Sequence, residues 1–362
     1  MAQAVRLLVF SRYGRLGSSS RVRILQYLPL LEAQGFAPTV QPLFDDRTVN
    51  ALYAGSRMVN FLRIQGLIRR VLALTRCAEF DVIWVERELL PYLPAWPELY
   101  LRRRGLRMVA DYDDAVFHNY DDHRHRLIRG LLGDKVADVM RCAAFVIVGN
   151  EYLKAYAEKA GARRIELVPT VVDLTRYAVS PPHVGIPFTI GWIGTPLTAR
   201  YLKPIQSVLA SFCRERDANL TLIGAGQVAD LGTNCRVERW SEEGEVEQIQ
   251  RFDVGIMPLP DEPFERGKCG YKLIQYMACG IPVIASPIGV NTKIVRQGID
   301  GFLARTHEEW YGALEQFYSK PEMRRSMGLA ARKRVESEYS LQVAAPRLCV
   351  LLKELTSGGG AR

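Results

Sequence analysis

Two lysines set among glycines are the residues of this chain best suited to bind an anion. Lys268 and Lys272 lie four positions apart in a predicted helix over residues 268–279, so we expect them to share a face of it. Gly267 and Gly270 permit close approach of the backbone, and a helix N-terminus offers free N–H donors to phosphate. The like charges repel each other mildly, and a bound anion would reverse that effect. The segment predicts a phosphate site; two solvated surface lysines are the alternative.

Three aspartates lie at the end of a predicted strand in the N-terminal half. Asp111 ends the strand over residues 108–111, and Asp113 and Asp114 follow it. Open α/β sheets bind ligands at the carboxyl ends of their strands, so these carboxylates are candidates for a site. An Asx turn or a helix cap would use the same residue type without any ligand.

Short apolar runs alternate with helical patterns along the chain and predict the elements that position these residues. Many of the runs are apolar on both faces, as in parallel strands covered by helices on both sides. Predicted strands cover residues 7–11, 82–85, 108–111 and 145–148, and a second series covers 188–193, 220–223, 236–240, 254–258, 282–286 and 302–304. Helical patterns cover 20–34, 57–76, 198–214, 268–279 and 308–318. The fold class is therefore α/β, with two doubly wound domains that face each other over a cleft.

A linker separates the two arrays. Residues 170–186 show no periodicity and contain Pro181 and Pro182. We expect an N-terminal domain over residues 1–180, a C-terminal domain over 181–340, and a terminal helix and tail over 341–362. A length of 362 residues fits two domains, and 48% hydrophobic with 24% charged residues is typical of a globular protein.

The net charge of +9 indicates an acidic partner, such as nucleic acid, anionic lipid or a phosphorylated small molecule. The excess is mainly N-terminal, since residues 1–178 carry 26 Lys and Arg against 19 Asp and Glu. The basic residues form three clusters: a basic amphipathic helix over residues 57–76, the group Arg102, Arg103, Arg104 and Arg107, and the group Arg124, Arg126 and Arg129. The three clusters are either solvated helix faces or a surface that docks on an anionic membrane.

Several classes of protein and site are not expected. No long apolar run predicts a transmembrane helix, and residues 1–10 are not organised as a signal peptide. The seven cysteines are scattered and odd in number, which is typical of reduced thiols in the cytosol. His123 and His125 would not share a helical face, so no metal site is expected there.

The segment over residues 253–304 resembles the C-terminal domain of retaining glycosyltransferases of the GT-B fold, family 4 (glycosyl transferases group 1). The similarity lies in residues 265–272, the Met-Ala-Cys-Gly turn at 277–280, the Pro-Val-Ile-Ala-Ser strand at 282–286, and the stretch 298–304. The N-terminal half fits more loosely, through residues 7–11, the loop at 17–20 and the strand leading to Asp111. The resemblance implies two Rossmann-like domains facing a central cleft, with a C-terminal helix that packs back toward the N-terminal domain.

The chain departs from the family at its usual pair of glutamates, which lie eight positions apart. Gln275 occupies the place of the second glutamate and Gly267 that of the first, for which Glu265, two residues earlier, would substitute. A glutamine can hydrogen-bond a ribose hydroxyl but supplies no charge. We infer that neutralisation of the phosphates has shifted to Lys268 and Lys272.

The resemblance implies that the C-terminal domain binds a nucleotide-diphosphate sugar and that neither a metal nor another cofactor takes part. Charge would develop on the β-phosphate as the sugar leaves, and Lys268, Lys272 and the helix N-terminus would stabilise it. Relatives bind the diphosphate through the loop after the first strand of this domain, so Arg200 is a candidate by position. Further donor-binding candidates are Gly194 and Thr195, then Gly224 and Trp240 beside the base, then Gly270 and Gln275, then Gly289, Val290 and Asn291 near the sugar phosphate.

By the same resemblance, the N-terminal domain would hold the acceptor. Many relatives place a histidine at the end of this strand, but His118 comes several residues late, so Asp113 or Asp114 is the expected catalytic group, beside Glu265. Residues 86–88 (Glu-Arg-Glu) close another strand and would line the same cleft. Gly17 and Arg21 would contact the donor phosphates or a lipid-linked phosphate; a surface arginine is the alternative.

The predicted enzyme is therefore a glycosyltransferase of the hexosyltransferase class. It would transfer a sugar, with retention, to a saccharide or lipid-linked acceptor in cell-surface polysaccharide or glycolipid synthesis. We expect it in the cytoplasm, peripheral on the inner face of the cell membrane, with an anionic membrane surface as a partner.

Three other functions compete with this one. A nucleotide-sugar epimerase shares the two-domain fold, which therefore does not exclude it. Gly224-Ala225-Gly226 imitates the fingerprint of a nicotinamide oxidoreductase, but the next predicted strand follows too soon for the helix that this fingerprint requires. A nucleic-acid binder would account for the charge. However, the basic residues are not interleaved with aromatics and no known module is present, so nucleic acid is not an expected partner.

Overall fold

A computed structural model describes residues 4–179, 187–227 and 234–357 of the chain. The chain divides into two compact units. The first unit comprises Met1–Thr170, Gly267–Cys269 and Ala344–Arg362, and the second comprises Val171–Arg266 and Gly270–Val343. Pro181 and Pro182 of the predicted linker lie outside the described residues.

The first unit is built on a parallel sheet of six strands in the spatial order β2-β1-β3-β4-β5-β6. The strands are β1 (Val5–Tyr13), β2 (Phe36–Phe44), β3 (Val82–Glu86), β4 (Met108–Tyr112), β5 (Phe145–Val148) and β6 (Ile165–Leu167). The helices are α1 (Ser18–Arg23), α2 (Leu28–Ala33), α3 (Asp46–Tyr53), α4 (Val59–Leu74), α5 (Trp96–Arg103), α6 (His118–Asp121), α7 (Arg126–Leu132), α8 (Lys135–Cys142) and α9 (Glu151–Ala160). Short 3₁₀ helices lie at Leu25–Tyr27 and Cys77–Glu79.

The second unit repeats this plan, with six parallel strands in the order β12-β11-β10-β7-β8-β9. The strands are β7 (Thr189–Ile193), β8 (Asn219–Ile223), β9 (Cys235–Glu238), β10 (Val254–Met257), β11 (Val283–Ala285) and β12 (Gly301–Leu303). The helices are α10 (Gln206–Arg216), α11 (Glu245–Ile249), α12 (Pro263–Arg266), α13 (Tyr271–Ala278), α14 (Asn291–Ile294), α15 (His307–Ser319) and α16 (Pro321–Glu338), with a 3₁₀ helix at Ala199–Ile205. A last helix, α17 (Leu341–Ser357), begins in the second unit and ends in the first.

Strands β3, β4, β5, β7 and β10 are buried at every position, as parallel strands are when helices cover both faces of a sheet. Because the strands of each sheet are parallel, their carboxyl ends share one edge, where ligands bind in such folds. In the first unit, the register places Glu86 opposite Asp111 at this edge. In the second unit, it places Ile193 opposite Ile223, so the loops after β7 and β8 start side by side.

All ten predicted strands are present, and their ends differ from the predicted ones by at most two residues. The structure adds β2 and β6. β2 contains Pro38 and Pro42, which argue against a central strand, but it lies at the edge of its sheet, where a missing N–H donor is tolerated. β6 has only three residues, too few for a clear apolar pattern.

Three predicted helices differ from the observed ones, each at a proline or glycine. The helix expected over residues 20–34 is divided into α1, a 3₁₀ turn and α2, with Pro29 in the first turn of α2. The helix expected over 198–214 starts as a 3₁₀ helix that contains Pro204. The helix expected over 268–279 begins only at Tyr271, because Gly270 before it has a left-handed φ of 67°.

The C-terminal helix contacts the first unit, as predicted. Within that unit, Arg347 of α17 pairs with Glu166 at 3.0 Å, and Glu354 pairs with Arg164 at 2.7 Å. No helix in the described part of the chain has the length and apolar character needed to cross a membrane. Among the same residues, no group of three or more His, Cys, Asp or Glu side chains is arranged to hold a metal ion.

Candidate functional site

Lys272 lies in the first turn of α13, in the second unit, and reaches the loop after β7. Its Nζ is 4.9 Å from the centre of the Trp192 ring and 3.5 Å from Thr198 Oγ1. Gly270 is the N-cap of α13, so no side-chain cap covers the first N–H groups of this helix. A half-buried ammonium group beside such a helix N-terminus is a site for an anion such as phosphate.

Two glycines leave room at the same edge of the sheet. At Gly194, directly after β7, a Cβ would overlap the Trp192 ring and lie 2.7 Å from Lys272 Nζ. At Gly224, directly after β8, φ is 73° and a Cβ would overlap the carbonyl oxygen of Gly194 and lie 3.1 Å from Cβ of Trp240. Only glycine fits at these two positions. The contacts bring four predicted donor-binding residues together: Gly194, Gly224, Trp240 and Lys272.

The loop after β7 is closed by two threonines and leads to Arg200. Thr195 N donates to Thr198 Oγ1 at 3.0 Å, and Thr198 Oγ1 lies 3.1 Å from the carbonyl oxygen of Thr195. Tyr201 OH donates to the buried carboxylate of Glu265, and Arg200 Nη2 lies 3.6 Å from the same carboxylate oxygen. Arg200 Nη2 also donates to Tyr201 OH at 3.3 Å, and this hydrogen bond raises the pKa of Arg200. The predicted residues Arg200 and Glu265 therefore form one cluster.

Gln275 belongs to a buried hydrogen-bond network in the second unit. Its Nε2 donates to Tyr177 OH at 3.0 Å, and Tyr177 OH donates to Glu245 at 3.1 Å. Trp240 Nε1 donates to the other oxygen of Glu245 at 2.9 Å. Burial raises the pKa of Tyr177 well above its ordinary value, so its hydroxyl stays protonated and remains a donor. The predicted residues Gln275 and Trp240 are thus joined through Tyr177 and Glu245. We call these four hydrogen-bonded side chains the Glu245 network.

Gly289, Val290 and Asn291 lead into α14, next to the start of α13. Gly289 has a φ of 52°, and a Cβ there would lie 2.5 Å from the carbonyl oxygen of Arg266. A Cβ built on Gly270 would lie 3.3 Å from Val290 and 3.6 Å from Asn291 Oδ1. These predicted donor-binding residues therefore adjoin the N-terminus of α13.

In the first unit, Arg87 holds the two candidate catalytic aspartates. Its Nη2 donates to Asp113 at 3.0 Å and to Asp114 at 2.9 Å. Arg87 has a left-handed φ of 68°, which is uncommon for a residue with a side chain. The position after β3 was expected to line a cleft, but its role as partner of both aspartates was not predicted.

Lys268 lies in this ion cluster of the first unit and not in α13. Its Nζ is 3.7 Å from Asp114 Oδ1. Asn150 Nδ2 donates to the carbonyl oxygens of Gly267 and Lys268, at 2.9 and 3.1 Å. The prediction that Lys268 shares a helical face with Lys272 is wrong, because α13 begins only after this segment, whose carbonyl groups bond to the first unit.

Burial and ion pairing act differently on the two aspartates. Burial raises the pKa of Asp113, although Arg87 opposes this effect. Burial also acts on Asp114, but Lys268 and Arg87 outweigh it and lower the pKa of that carboxyl. Neighbouring carboxyls whose pKa values are pushed apart are typical of acid–base sites. As the pH falls, Asp113 is the first of the two to take up a proton.

The remaining predicted residues of the first unit lie in well-packed surroundings. Asp111 accepts a hydrogen bond from Arg23 Nε at 2.5 Å, and burial raises its pKa to about 6 despite that arginine. Arg21 is buried and donates to a main-chain oxygen of the preceding loop, at 3.2 Å. A Cβ on Gly17 would overlap the side chain of Tyr13. The alternative of Arg21 as an exposed surface arginine is therefore wrong.

Sequence reasoning missed Asn150, Tyr177 and Glu245. Asn150 follows β5 and caps α9 through a bond from Leu153 N at 3.0 Å, so the strand-end rule that selected the aspartates would have found it. Glu245 lies among other glutamates in the sequence, and nothing there distinguishes it as buried. No signal in the sequence singles out Tyr177.

Residues 188–320 match the model of the family Glycosyl transferases group 1. N-acetyl-alpha-D-glucosaminyl L-malate synthase of Bacillus anthracis is 26% identical over 154 residues, which are 39% of this chain and 39% of that protein. D-inositol 3-phosphate glycosyltransferase of Paenarthrobacter aurescens (strain TC1) is 33% identical over 108 residues, which are 29% of this chain and 25% of that protein. The chain thus matches well under two thirds of the length of either relative.

Similarity to a solved structure extends over nearly the whole chain. The structure of the HepE protein of Anabaena in complex with UDP-glucose has a TM-score of 0.72 and 14% sequence identity, and the match covers 96% of this chain and 99% of that chain. At this identity, the similarity shows the fold. The predicted GT-B fold is therefore confirmed, and the resemblance to glycosyl transferases group 1 is confirmed for residues 188–320.

Proposed function

We propose that this chain, whose residues 188–320 match the glycosyl transferases group 1 family, is a glycosyltransferase that uses a nucleotide-diphosphate sugar. The observation that carries the proposal is the position of Lys272 Nζ, near the start of α13 and 3.5 Å from Thr198 Oγ1. A diphosphate would find a cation, N–H donors and a hydroxyl together there. The UDP-glucose in the HepE structure supports a donor of this class.

In the proposed reaction, the second unit supplies the groups that assist departure of the sugar. When the bond between the anomeric carbon and the β-phosphate oxygen breaks, negative charge grows on the phosphate. Lys272 and the N–H groups of α13 would stabilise that charge more strongly in the transition state than in the bound donor. Arg200, an exposed cation beside Glu265, would assist. In this proposal, these side chains neutralise the diphosphate without a metal ion.

The nucleoside would lie at the adjoining strand ends. Gly224 exposes its backbone there, and Trp240 is fixed by its bond to Glu245. By the resemblance, Gln275 takes the place of the second family glutamate, and its amide bonds to Tyr177. Because Glu245 already supplies a carboxylate to this network, a neutral residue at position 275 avoids two neighbouring buried negative charges. This accounts for the departure from the family pattern.

The acceptor would bind to the first unit, at the carboxyl ends of β3 and β4. Asp114, which Arg87 and Lys268 keep ionised, would accept a hydrogen bond from the acceptor hydroxyl and orient it. Asp113, whose pKa is raised, is better suited to take up the proton. Transfer with retention follows from the family resemblance and is part of the proposal.

We further propose that the acceptor is a saccharide or a lipid-linked glycan handled at the cytoplasmic face of a membrane. The concentration of basic residues in the N-terminal half supports a phosphate-rich surface as partner, since residues 1–178 carry 26 Lys and Arg against 19 Asp and Glu. Such an enzyme would serve in the synthesis of cell-surface polysaccharide or glycolipid.

Calorimetric titration with UDP, GDP and ADP and with the corresponding nucleosides tests the donor site. Lys272→Ala is expected to weaken binding of the preferred diphosphate about 10- to 100-fold, since a hydrogen bond to a charged group contributes about 1.5–3 kcal/mol. Nucleoside binding should change little. Lys203→Ala is the matched control, because Lys203 is an exposed lysine of the same unit. Equal losses for diphosphate and nucleoside, or no binding of any diphosphate, would contradict the proposal.

The epimerase alternative is not favoured, because the two relatives above are named a synthase and a glycosyltransferase. The products distinguish the two reactions. An epimerase changes the sugar and leaves it attached to the nucleotide, whereas a transferase releases the nucleoside diphosphate.

A further inference from the structure

Helix α4 of the first unit has an apolar face that points to solvent. Phe61, Ile64, Ile68 and Leu72 follow one another at intervals of three and four residues, which places them on one side of the helix. Their exposed fractions are 59%, 57%, 54% and 62%. We call these four side chains the α4 outer row. Exposed side chains of this size normally occur singly on a protein surface, so a continuous row indicates an interaction site.

The opposite face of α4 explains why the apolar row stays outside. The helix buries Leu62, Gly66 and Arg70, four positions apart. A Cβ on Gly66 would overlap the carbonyl oxygen of Leu43, so the helix packs on the first unit through its backbone. Arg70 donates to the main-chain oxygens of Ser11 and Gln41. This inverts the usual amphipathic arrangement, in which the apolar face of a surface helix is the buried one.

The charge around the row is strongly positive. Residues 47–78 contain six arginines and no aspartate or glutamate. Arg57, two residues before α4, and Arg63, within α4, are exposed. Arg69 is also exposed and pairs with Asp45 at 3.0 Å. An apolar row with flanking arginines complements a surface that is anionic outside and apolar beneath, as a bilayer with acidic lipids is.

The apolar surface continues beyond the helix. Tyr53, at the end of α3, and Met58, directly before α4, are exposed as well. A second exposed pair lies on α7 of the same unit, where Leu127 and Leu131 are 78% and 76% exposed one helical turn apart. Arg126 precedes this pair and is exposed. Exposed apolar and cationic side chains thus occur together on both α4 and α7.

We propose that the α4 outer row inserts into the boundary between headgroups and acyl chains of an anionic bilayer, with the arginines on the lipid headgroups. With 16 residues, α4 is about 24 Å long, enough to lie in the membrane plane as an interfacial helix. A second copy of this chain would cover the same row but would bring its own arginines against these ones. The inference deepens the membrane association proposed above and rests on the first unit alone.

Sedimentation of the full chain with phosphatidylcholine vesicles, with and without phosphatidylglycerol, tests this surface. We expect binding that requires phosphatidylglycerol and weakens in high salt. The double variant Ile64→Gln with Ile68→Gln should bind the vesicles at least about tenfold more weakly. Both side chains are exposed in the fold, so the substitutions remove apolar surface available to the membrane and leave the core unchanged. The double variant Leu329→Gln with Val350→Gln removes apolar side chains of similar exposure elsewhere and should bind like the wild type.

Two further variants separate charge from insertion. Arg57→Gln and Arg63→Gln should each weaken binding to the anionic vesicles about fivefold. A tryptophan placed by Phe61→Trp should shift its fluorescence to the blue on anionic vesicles only. Equal binding to neutral and anionic vesicles, unchanged binding of the Ile64/Ile68 variant, or a self-associated wild type that this variant dissociates would overturn the proposal. The last result would assign the row to a contact between copies.

Nucleotide binding by the same variants keeps this test apart from the proposed donor chemistry. The Ile64/Ile68 variant should bind the preferred nucleoside diphosphate as the wild type does, since α4 lies in the first unit and the donor residues in the second. Loss of vesicle binding with nucleotide binding intact supports the surface. Wild-type chain that binds nucleotide but no vesicles refutes the surface alone. Vesicle binding without nucleotide binding refutes the donor proposal alone.

Discussion

A glutamate at position 275, where the resemblance to the family predicts one, should destabilise this protein. The Gln275 side chain is buried, and its Nε2 donates to Tyr177 OH at 3.0 Å. In Gln275→Glu, an ionised carboxylate could not donate that bond, and it would lie close to a second buried carboxylate, Glu245, on the other side of Tyr177. The wild-type amide is therefore the residue that satisfies the Glu245 network.

The expected size of the effect follows from this geometry. Loss of one buried hydrogen bond costs about 1–3 kcal/mol, and an unpaired buried charge raises the total to about 3–5 kcal/mol at neutral pH. Burial and Glu245 would raise the folded-state pKa of the new carboxyl above its unfolded value of about 4.3. A group of this kind stabilises the folded state below its unfolded pKa and loses that contribution as the pH rises through its folded pKa. The penalty should therefore shrink toward acidic pH.

Urea denaturation of Gln275→Glu at neutral and acidic pH measures this free energy of unfolding. Gln65→Glu is the matched control, because Gln65 is exposed and the same charge change there should alter the free energy of unfolding by no more than about 0.5 kcal/mol. If Gln275→Glu were as stable as the control at neutral pH, the Glu245 network would not exclude a second carboxylate. The explanation of the glutamine would then be wrong.

Two other predictions concern the first unit. In Arg87→Met, loss of the cation should raise the pKa of both Asp113 and Asp114. The acidic limb of the pH profile of kcat/KM should therefore move to higher pH by about one to two units. A limb that does not move would argue against a role for these carboxyls. In Gly267→Ala, the new Cβ would lie 2.8 Å from a main-chain nitrogen, and we expect the free energy of unfolding to fall by about 1–3 kcal/mol. Gly312 lies in open space on a helix, so Gly312→Ala should raise the free energy of unfolding by up to about 1 kcal/mol. Thermal unfolding that ranks the two variants in the opposite order would contradict the packing described.

The fold was largely predictable from the sequence, because parallel strands buried on both faces leave apolar runs that are easy to recognise. β2 was missed since Pro38 and Pro42 are rare in central strands, and only the sheet order shows that this strand lies at an edge. The break of the first predicted helix lies next to Pro29, a residue that favours the first turn of a new helix and is visible in the sequence.

The part of the candidate site around Lys272 was predictable, because the residues that indicate an anion site lie in one short segment of the sequence. Glycines beside lysines are visible in the sequence, but the true start of α13 depends on the left-handed φ of Gly270, which the sequence only permits. The partner of Lys268 is Asp114, far away in the chain, and no local pattern links the two. The same holds for Tyr177 and Glu245, whose burial arises from the tertiary structure.

Analysis of the products formed from isotope-labelled sugar nucleotides tests the central claim most directly. The full chain would be incubated with the donor whose diphosphate it binds, together with a panel of saccharides and polyprenyl-phosphate-linked sugars, and the products followed by mass spectrometry and NMR. We predict release of the nucleoside diphosphate, appearance of the labelled sugar on one acceptor with its anomeric configuration retained, and strongly reduced product with Lys272→Ala but not with Lys203→Ala. A labelled sugar that changes its configuration while still attached to the nucleotide, or equal product from wild type and Lys272→Ala, would contradict the account.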